Sequence, residues 1–149
     1  MLVIIKNYNR KTDIKTMELQ VGVKALLKNK DGKYLLLRRS SEKYPEVGAT
    51  WDIVGGRINP GSSLLENLKR EIKEEVNLTL TNEPKLMAAQ DILRVPGRHV
   101  VRLTYTAMID GEPKIDDDHT EFKWFEKSEL KNLENLDIYF KELLNKNIL

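Results

Sequence analysis

Three features of the sequence predict an α/β fold, a mixed β-sheet held between layers of helix. Short runs rich in apolar and β-branched residues recur along the chain, as in Leu19–Leu27 and His99–Ile109. Turn signals punctuate them: Asp31-Gly32, Pro96-Gly97 and Asp110-Gly111. Two segments, Leu64–Val76 and Asp137–Asn145, carry helical rather than alternating patterning. Strands interleaved with two or three helices are the signature of an α/β/α sandwich.

The elements follow in order. Leu2–Ile5 reads as a short strand, and Asn7–Lys15 as a polar connection. Leu19–Leu27 is a buried strand, the Asn29-Lys-Asp-Gly32 turn follows, and Tyr34–Arg38 answers as its hairpin partner. Ser40–Thr50, with Pro45 and Gly48, is a loop placed to border a substrate site. After the Leu64–Val76 helix, Leu78–Leu80 is extended, and Lys85–Val95 pairs with His99–Ile109 across Pro96-Gly-Arg98. Ile115–Glu121 is an acidic loop leading into a strand, Phe122–Phe125. Ser128 caps a brief helix ending at Leu133, and Asp137–Asn145 closes the chain as a helix.

A length of 149 residues suits one domain with a real core, and we expect residues 1–149 to form it. The formal net charge of +2 is too small to make nucleic acid or an anionic membrane the main partner. No cysteine is present, which excludes disulfides and thiolate metal sites. Met1–Ile5 is too short for a signal peptide's apolar region, and no segment reaches the length of a membrane span. These features lead us to expect a soluble cytoplasmic protein, a monomer or homodimer.

The chemistry concentrates where a glycine-rich loop enters the Leu64–Val76 helix. Ser63 and Glu66 form a capping box, and Asn77 suits the left-handed residue that ends a helix. Leu64, Leu65, Leu68, Ile72 and Val76 share one stripe that should face a core. Glu71, Glu74 and Glu75 fall on a neighbouring arc. Carboxylates so spaced repel by roughly 0.2–0.5 kcal/mol per pair. A hard divalent cation with oxygen ligands relieves that repulsion; a solvated acidic face offset by Lys69, Arg70 and Lys73 is the alternative.

Gly56 to Leu78 resembles the Nudix hydrolase box, G-x5-E-x7-R-E-U-x-E-E-x-G-U, where U is bulky and aliphatic. Gly56, Arg70, Glu71, Ile72, Glu74, Glu75 and Leu78 match in register. Ser62 replaces the first Glu, and Asn77 replaces the second Gly. Trp51-Asp-Ile-Val-Gly-Gly56 also resembles the family's lead-in, and a looser collinear likeness spans about Leu19 to Leu130.

The resemblance implies a Nudix-type α/β/α sandwich and hydrolysis of pyrophosphate linkages in nucleoside diphosphate derivatives. It implies Mg²⁺, with Mn²⁺ as the alternative. Glu74 and Glu75 become metal ligands, and Glu71 a further ligand or the base that deprotonates water. Arg70 becomes the motif arginine that pins a helix glutamate and the loop, and Gly55 supplies a carbonyl to the metal. Ser62 withholds a charge there, and Glu66 stands one turn before Arg70 as a substitute partner. A further carboxylate is expected from the acidic loop, Glu121 first, with Asp116, Asp117 and Asp118 as rivals.

Substrate contacts are less legible. Tyr44 could touch a base and Arg98 a phosphate, while His99 and His119 are ambiguous. Trp51, Tyr105, Phe122 and Trp124 read as core. The leading functional reading is a MutT-like nucleoside triphosphate pyrophosphohydrolase. An ADP-ribose or nucleotide-sugar pyrophosphatase and a non-catalytic nucleotide-binding or regulatory module are the alternatives. In all of them the partner is a small nucleotide.

Overall fold

A computed structural model describes the backbone of residues 2–8 and 14–149, and side chains from residue 16 onward. Its organising strand is β2 (Ile14–Lys28). One edge of β2 is taken along Glu18–Lys28 by β7 (Arg98–Met108), running parallel. The opposite edge is shared in turn by three antiparallel partners. These are β1 (Leu2–Tyr8), then β5 (Val54–Arg57), then β3 (Tyr34–Arg39) at the single pair Lys28↔Tyr34.

That sharing corrects two expectations. The hairpin of β2 with β3 is joined only at its turn, because β5 occupies the β2 edge from Gly22 to Ala25. Strand β3 pairs instead with β8 (His119–Phe125) and with β4 (Trp51–Asp52). The connection expected over Asn7–Lys15 is also shorter. Asn7 pairs with Lys15 and Tyr8 with Ile14, since ladder hydrogen bonds hold polar residues in strands as readily as apolar ones. The rest of that connection lies outside the described residues. The second hairpin forms as expected, β6 (Lys85–Ile92) lying antiparallel to β7.

Strand alternation sends side chains to two cores. Val23, Ala25 and Leu27 of β2 and Leu35 and Leu37 of β3 pack with Leu68, Ile72 and Val76 of α1 (Leu64–Val76). Leu26 and Leu36 point the other way, joining Phe125, Leu130, Phe140 and Leu144. The second core is covered by α2 (Lys127–Leu130) and α3 (Ile138–Asn145). The result is the α/β/α sandwich around a mixed sheet. Trp51 and Tyr105 are buried, and Phe122 and Trp124 pack against the first core.

The last helices start and stop differently from the sequence reading. Glu126, not Ser128, stands at the cap of α2, its N–H donating to the Glu129 carboxylate at 2.6 Å. The helix ends at Leu130 because the N–H groups of Asn132 and Leu133 bond back only three residues, to Glu129 and Leu130. Backbone bonds from Trp51 N–H to Asn135 O and from Asp137 N–H to Trp51 O (both 2.8 Å) fix the start of α3 beside β4. Asp137 caps α3 by accepting from Phe140 N–H. Among the described residues no helix is long and apolar enough to cross a membrane.

Candidate active site

Helix α1 starts and ends as its sequence dictates. The Ser63 hydroxyl accepts from Glu66 N–H at 3.1 Å and Glu66 accepts from Ser63 N–H at 3.0 Å, a reciprocal box of about 1 kcal/mol. Asn77 takes the left-handed conformation, φ 55°. The buried face differs at its first turn. Leu64 is exposed, and Asn67 is buried in its place.

Asn67 is a residue that apolar periodicity overlooks. Its amide donates to the carbonyls of Ser62 (3.1 Å) and Ser63 (2.7 Å). Its oxygen accepts from Asn59 N–H (2.8 Å) and from Arg70 (3.1 Å). Asn67 therefore ties the incoming loop to the helix and orients Arg70. Glu66, committed to the cap, is not the substitute partner expected for Arg70; Asn67 is. Asn67→Ala leaves these part-buried groups without their partner, at about 1–3 kcal/mol. A lowered melting temperature is expected, and an unchanged one would mean that the loop holds without this residue.

Arg70 gathers the carboxylates. Its guanidinium donates to Glu71 (2.9 Å), to Glu74 (3.2 Å) and to the Arg57 carbonyl (3.0 Å). Glu71 is nearly covered, its side chain 12% exposed, whereas Glu74 is 57% exposed and faces solvent. Glu75 turns inward and accepts from Gly55 N–H at 2.9 Å. The close approach needs both glycines. A Cβ on Gly55, where φ is +142°, would stand 2.1 Å from the Val23 carbonyl oxygen, and one on Gly56 would stand 2.7 Å from the Glu71 carboxylate.

Burial sets the electrostatics. It pushes the Glu75 carboxyl up to about 8, with Glu71 and Asp116 adding to the rise and Lys24 and Gly55 N–H opposing it. Burial likewise raises Glu71, against the pull of Arg70. Ionising these groups together is unfavourable without a cation beside them, and their donors are hard oxygens. The donor set fits a divalent cation of the Mg²⁺ or Mn²⁺ kind.

The acidic loop reaches this place through its backbone. Lys114 N–H donates to Val76 O (2.9 Å) and Asp116 N–H to Glu75 O (3.2 Å), docking the loop on the end of α1. Ligand atoms of Glu75, Asp116 and His119 consequently lie within 4.8 Å of one another. His119 bonds Asp116 at 2.6 Å. Glu121 does not precede its strand, as the sequence suggested; β8 begins at His119, and Glu121 pairs in register with Arg38. Its carboxylate is ion-paired with Arg38 at 3.4 Å. Asp118 binds Lys43 at 3.1 Å, and Asp117 is exposed. No spacing rule marks His119 or Asp116, because a loop docking on a helix end brings them in.

Beside Gly55 and Gly56 opens a cavity of about 390 Å³. Lys24, Arg39, Arg57, Arg94, Arg98 and Arg102 line it, outnumbering the carboxylates of Glu46, Asp52 and Asp137. Tyr44 and Tyr139 contribute rings, with Arg39 5.4 Å from the Tyr44 centroid and Arg94 5.4 Å from that of Tyr139. Tyr44 and Arg98 thus both reach the cavity; His99 is bonded to Asp91 at 2.7 Å. Under the cavity Asp52 is held by Lys24 (2.8 Å), Arg39 (3.2 Å) and Arg102 (3.3 Å). Sequence patterning does not find this network, since Lys24 and Arg102 sit in strands that otherwise read as apolar.

Known proteins share this architecture. The crystal structure of a MutT protein from Methanosarcina mazei Go1 superposes with a TM-score of 0.76 at 27% identity, covering 86% of this chain and 91% of that one. An ADP-ribose pyrophosphatase of Methanocaldococcus jannaschii is 30% identical over 137 residues, 86% of this chain and 76% of the relative. The nucleoside triphosphatase NudI of Escherichia coli is 30% identical over 110 residues, 67% of this chain and 77% of the relative. The NUDIX domain description matches residues 18–145. With Glu71 and Glu75 of α1 drawn against a glycine loop in this sandwich, the chain belongs to the NUDIX domain family and is a Nudix hydrolase.

Proposed function

We propose that the chain, acting as one domain, is a metal-dependent pyrophosphohydrolase of nucleoside triphosphates, using Mg²⁺ or Mn²⁺. The observation that carries this reading is the junction of two opposite fields. Glu71 and Glu75 gather against Gly55–Gly56, Glu74 joins them through Arg70, and a cavity rich in arginine opens beside them. Glu71, Glu74 and Glu75 would hold the cation, with the Gly55 carbonyl as a further ligand. When bound, such a cation polarises phosphoryl oxygens and offsets the charge of the phosphate chain.

The remaining chemistry falls to the chain's own groups. Glu71, covered and with its carboxyl raised, is placed to accept a proton from the attacking water. Arg70 holds Glu71 and Glu74 in position and fastens them to the glycine loop through the Arg57 carbonyl. The cavity arginines bind and orient the phosphates, and Tyr44 and Tyr139 offer faces to the nucleoside. Hydrolysis of an ADP-ribose-like diphosphate is the second reading, favoured by the 30% identity to the M. jannaschii pyrophosphatase over 86% of the chain.

A panel of nucleoside triphosphates, ADP-ribose and nucleotide sugars, with and without Mg²⁺ or Mn²⁺, tests the reading. Metal-dependent release of pyrophosphate or phosphate from triphosphates is expected. No turnover of any member with metal would instead favour a binding module. For the further ligand, Asp116→Asn is expected to weaken Mn²⁺ binding by about tenfold, the scale of lost metal-site partners, and Glu121→Gln much less. Mn²⁺ titration followed by electron paramagnetic resonance checks this, and the reverse order would give the position to Glu121.

A further inference from the structure

Arginines from two strands converge over one glycine of β2. Strand register sets Arg57 of β5 and Arg102 of β7 on either side of Gly22. Residues paired across strands share a face, so both side chains rise on the same side, with none from Gly22 between them. Arg57 Nη1 lies 3.2 Å from where a Cβ of Gly22 would stand. Arg98, four residues before Arg102 in β7, shares that face by strand alternation. All three line the cavity beside the glutamates.

Six cations against three carboxylates leave the cavity with positive charge to spare. Arg57 shares the cavity wall with Arg39, Arg98 and Arg102, so like charges crowd together there. Its Nε donates to the neutral Gln20 side chain at 2.9 Å. Among the described residues neither Arg57 nor Arg98 has a carboxylate within ion-pair distance. Arg102 is 4% exposed; its terminal nitrogens bind Asp52 and Asp137, and its Nε is buried without a partner. The donors left open, on Arg57, on Arg98 and at Arg102 Nε, match a group with several charged oxygens, and guanidinium matches phosphate in geometry.

We propose that Arg57, Arg98 and Arg102 hold a free terminal phosphate of the substrate, so that the site prefers nucleoside triphosphates to diphosphates esterified at both ends. This rests on the triphosphate reading above. The dianionic end of a triphosphate places its charge among the arginines, whereas a sugar ester offers hydroxyls there and leaves them uncompensated. Arg102 also anchors the buried network, so the informative variants are Arg57→Ala and Arg98→Ala.

Calorimetric titration with tripolyphosphate in chelator reads the subsite without metal. Wild type is expected to bind, each alanine variant to bind roughly tenfold to a hundredfold more weakly, and Arg98→Lys, which keeps the charge but not the fork, to lose less than Arg98→Ala. In turnover with metal, the ratio of kcat/KM for a nucleoside triphosphate to that for ADP-ribose is expected to fall at least ~10-fold in the alanine variants, through KM. Absence of tripolyphosphate binding to wild type, or equal binding by wild type and both alanine variants, overturns the proposal. If wild type turns over no triphosphate, the hydrolase reading fails while the titration still decides the subsite.

Discussion

Glu75→Gln is expected to lower turnover at least ~10-fold and, in chelator at alkaline pH, to raise stability. The first effect follows from removing a charged oxygen at the most enclosed point of the carboxylate cluster, on the scale of lost metal-site partners. The second follows from burial. The metal-free carboxyl stands at about 8 instead of the ordinary 4.5, so in that window the folded protein holds a proton that the unfolded chain has released. Stability then falls as pH rises from the ordinary value towards 8, at about 1.4 kcal/mol per unit and a few kcal/mol at most. Gln carries no such proton and removes this share of the slope, leaving that of the raised Glu71 carboxyl. Melting curves from pH 5 to 9 in chelator, beside turnover with Mg²⁺, check both effects. Wild-type turnover would remove Glu75 from the site, and parallel melting profiles would mean that its carboxyl ionises normally when buried.

The opposite signs of those two effects separate what the sequence made legible from what it did not. Helix α1, its cap and its glutamates could be read because capping and periodicity are local: Ser63, Glu66 and Asn77 each act within a turn of their own position. The inward turn of Glu75 depends on Gly55, twenty residues earlier, and the presence of Asp116 on a loop docking at the end of α1. Neither contact has a spacing rule. The same holds for the strands. Patterning located β2 and β3, but their separation after Lys28↔Tyr34 is decided by β5 competing for one edge. Asn67 misled the pattern for a related reason. A buried amide with all its hydrogen bonds made serves a helix face as well as leucine does, and periodicity registers only the apolar case.

Asp52→Asn is expected to produce the largest loss of stability, about 3–5 kcal/mol, because it removes the charge that three cations share. Asp52 is fully enclosed, and Lys24, Arg39 and Arg102 each reach it within 3.3 Å. Burial alone would raise its carboxyl; Lys24, Arg102 and Arg39 more than reverse this and hold it well below the usual carboxylate range. Asn keeps the shape and leaves Lys24 buried without a counter-charge, while Arg102 retains Asp137 at 3.0 Å. At roughly 2–4 °C per kcal/mol for a domain of this size, the melting temperature should drop by about 10 °C. The sign with pH follows from the depressed value. The contribution of Asp52 is complete above the ordinary carboxylate pKa and fades as pH falls towards its folded one. The gap between wild type and variant should therefore be widest near neutrality and narrow below about pH 4. The same network floors the arginine-lined cavity, so substrate KM should rise in the variant even at temperatures where it is folded. Thermal melts from pH 3 to 8 decide the matter: a shift under ~2 °C at pH 7 would mean that the buried cations are neutralised without Asp52.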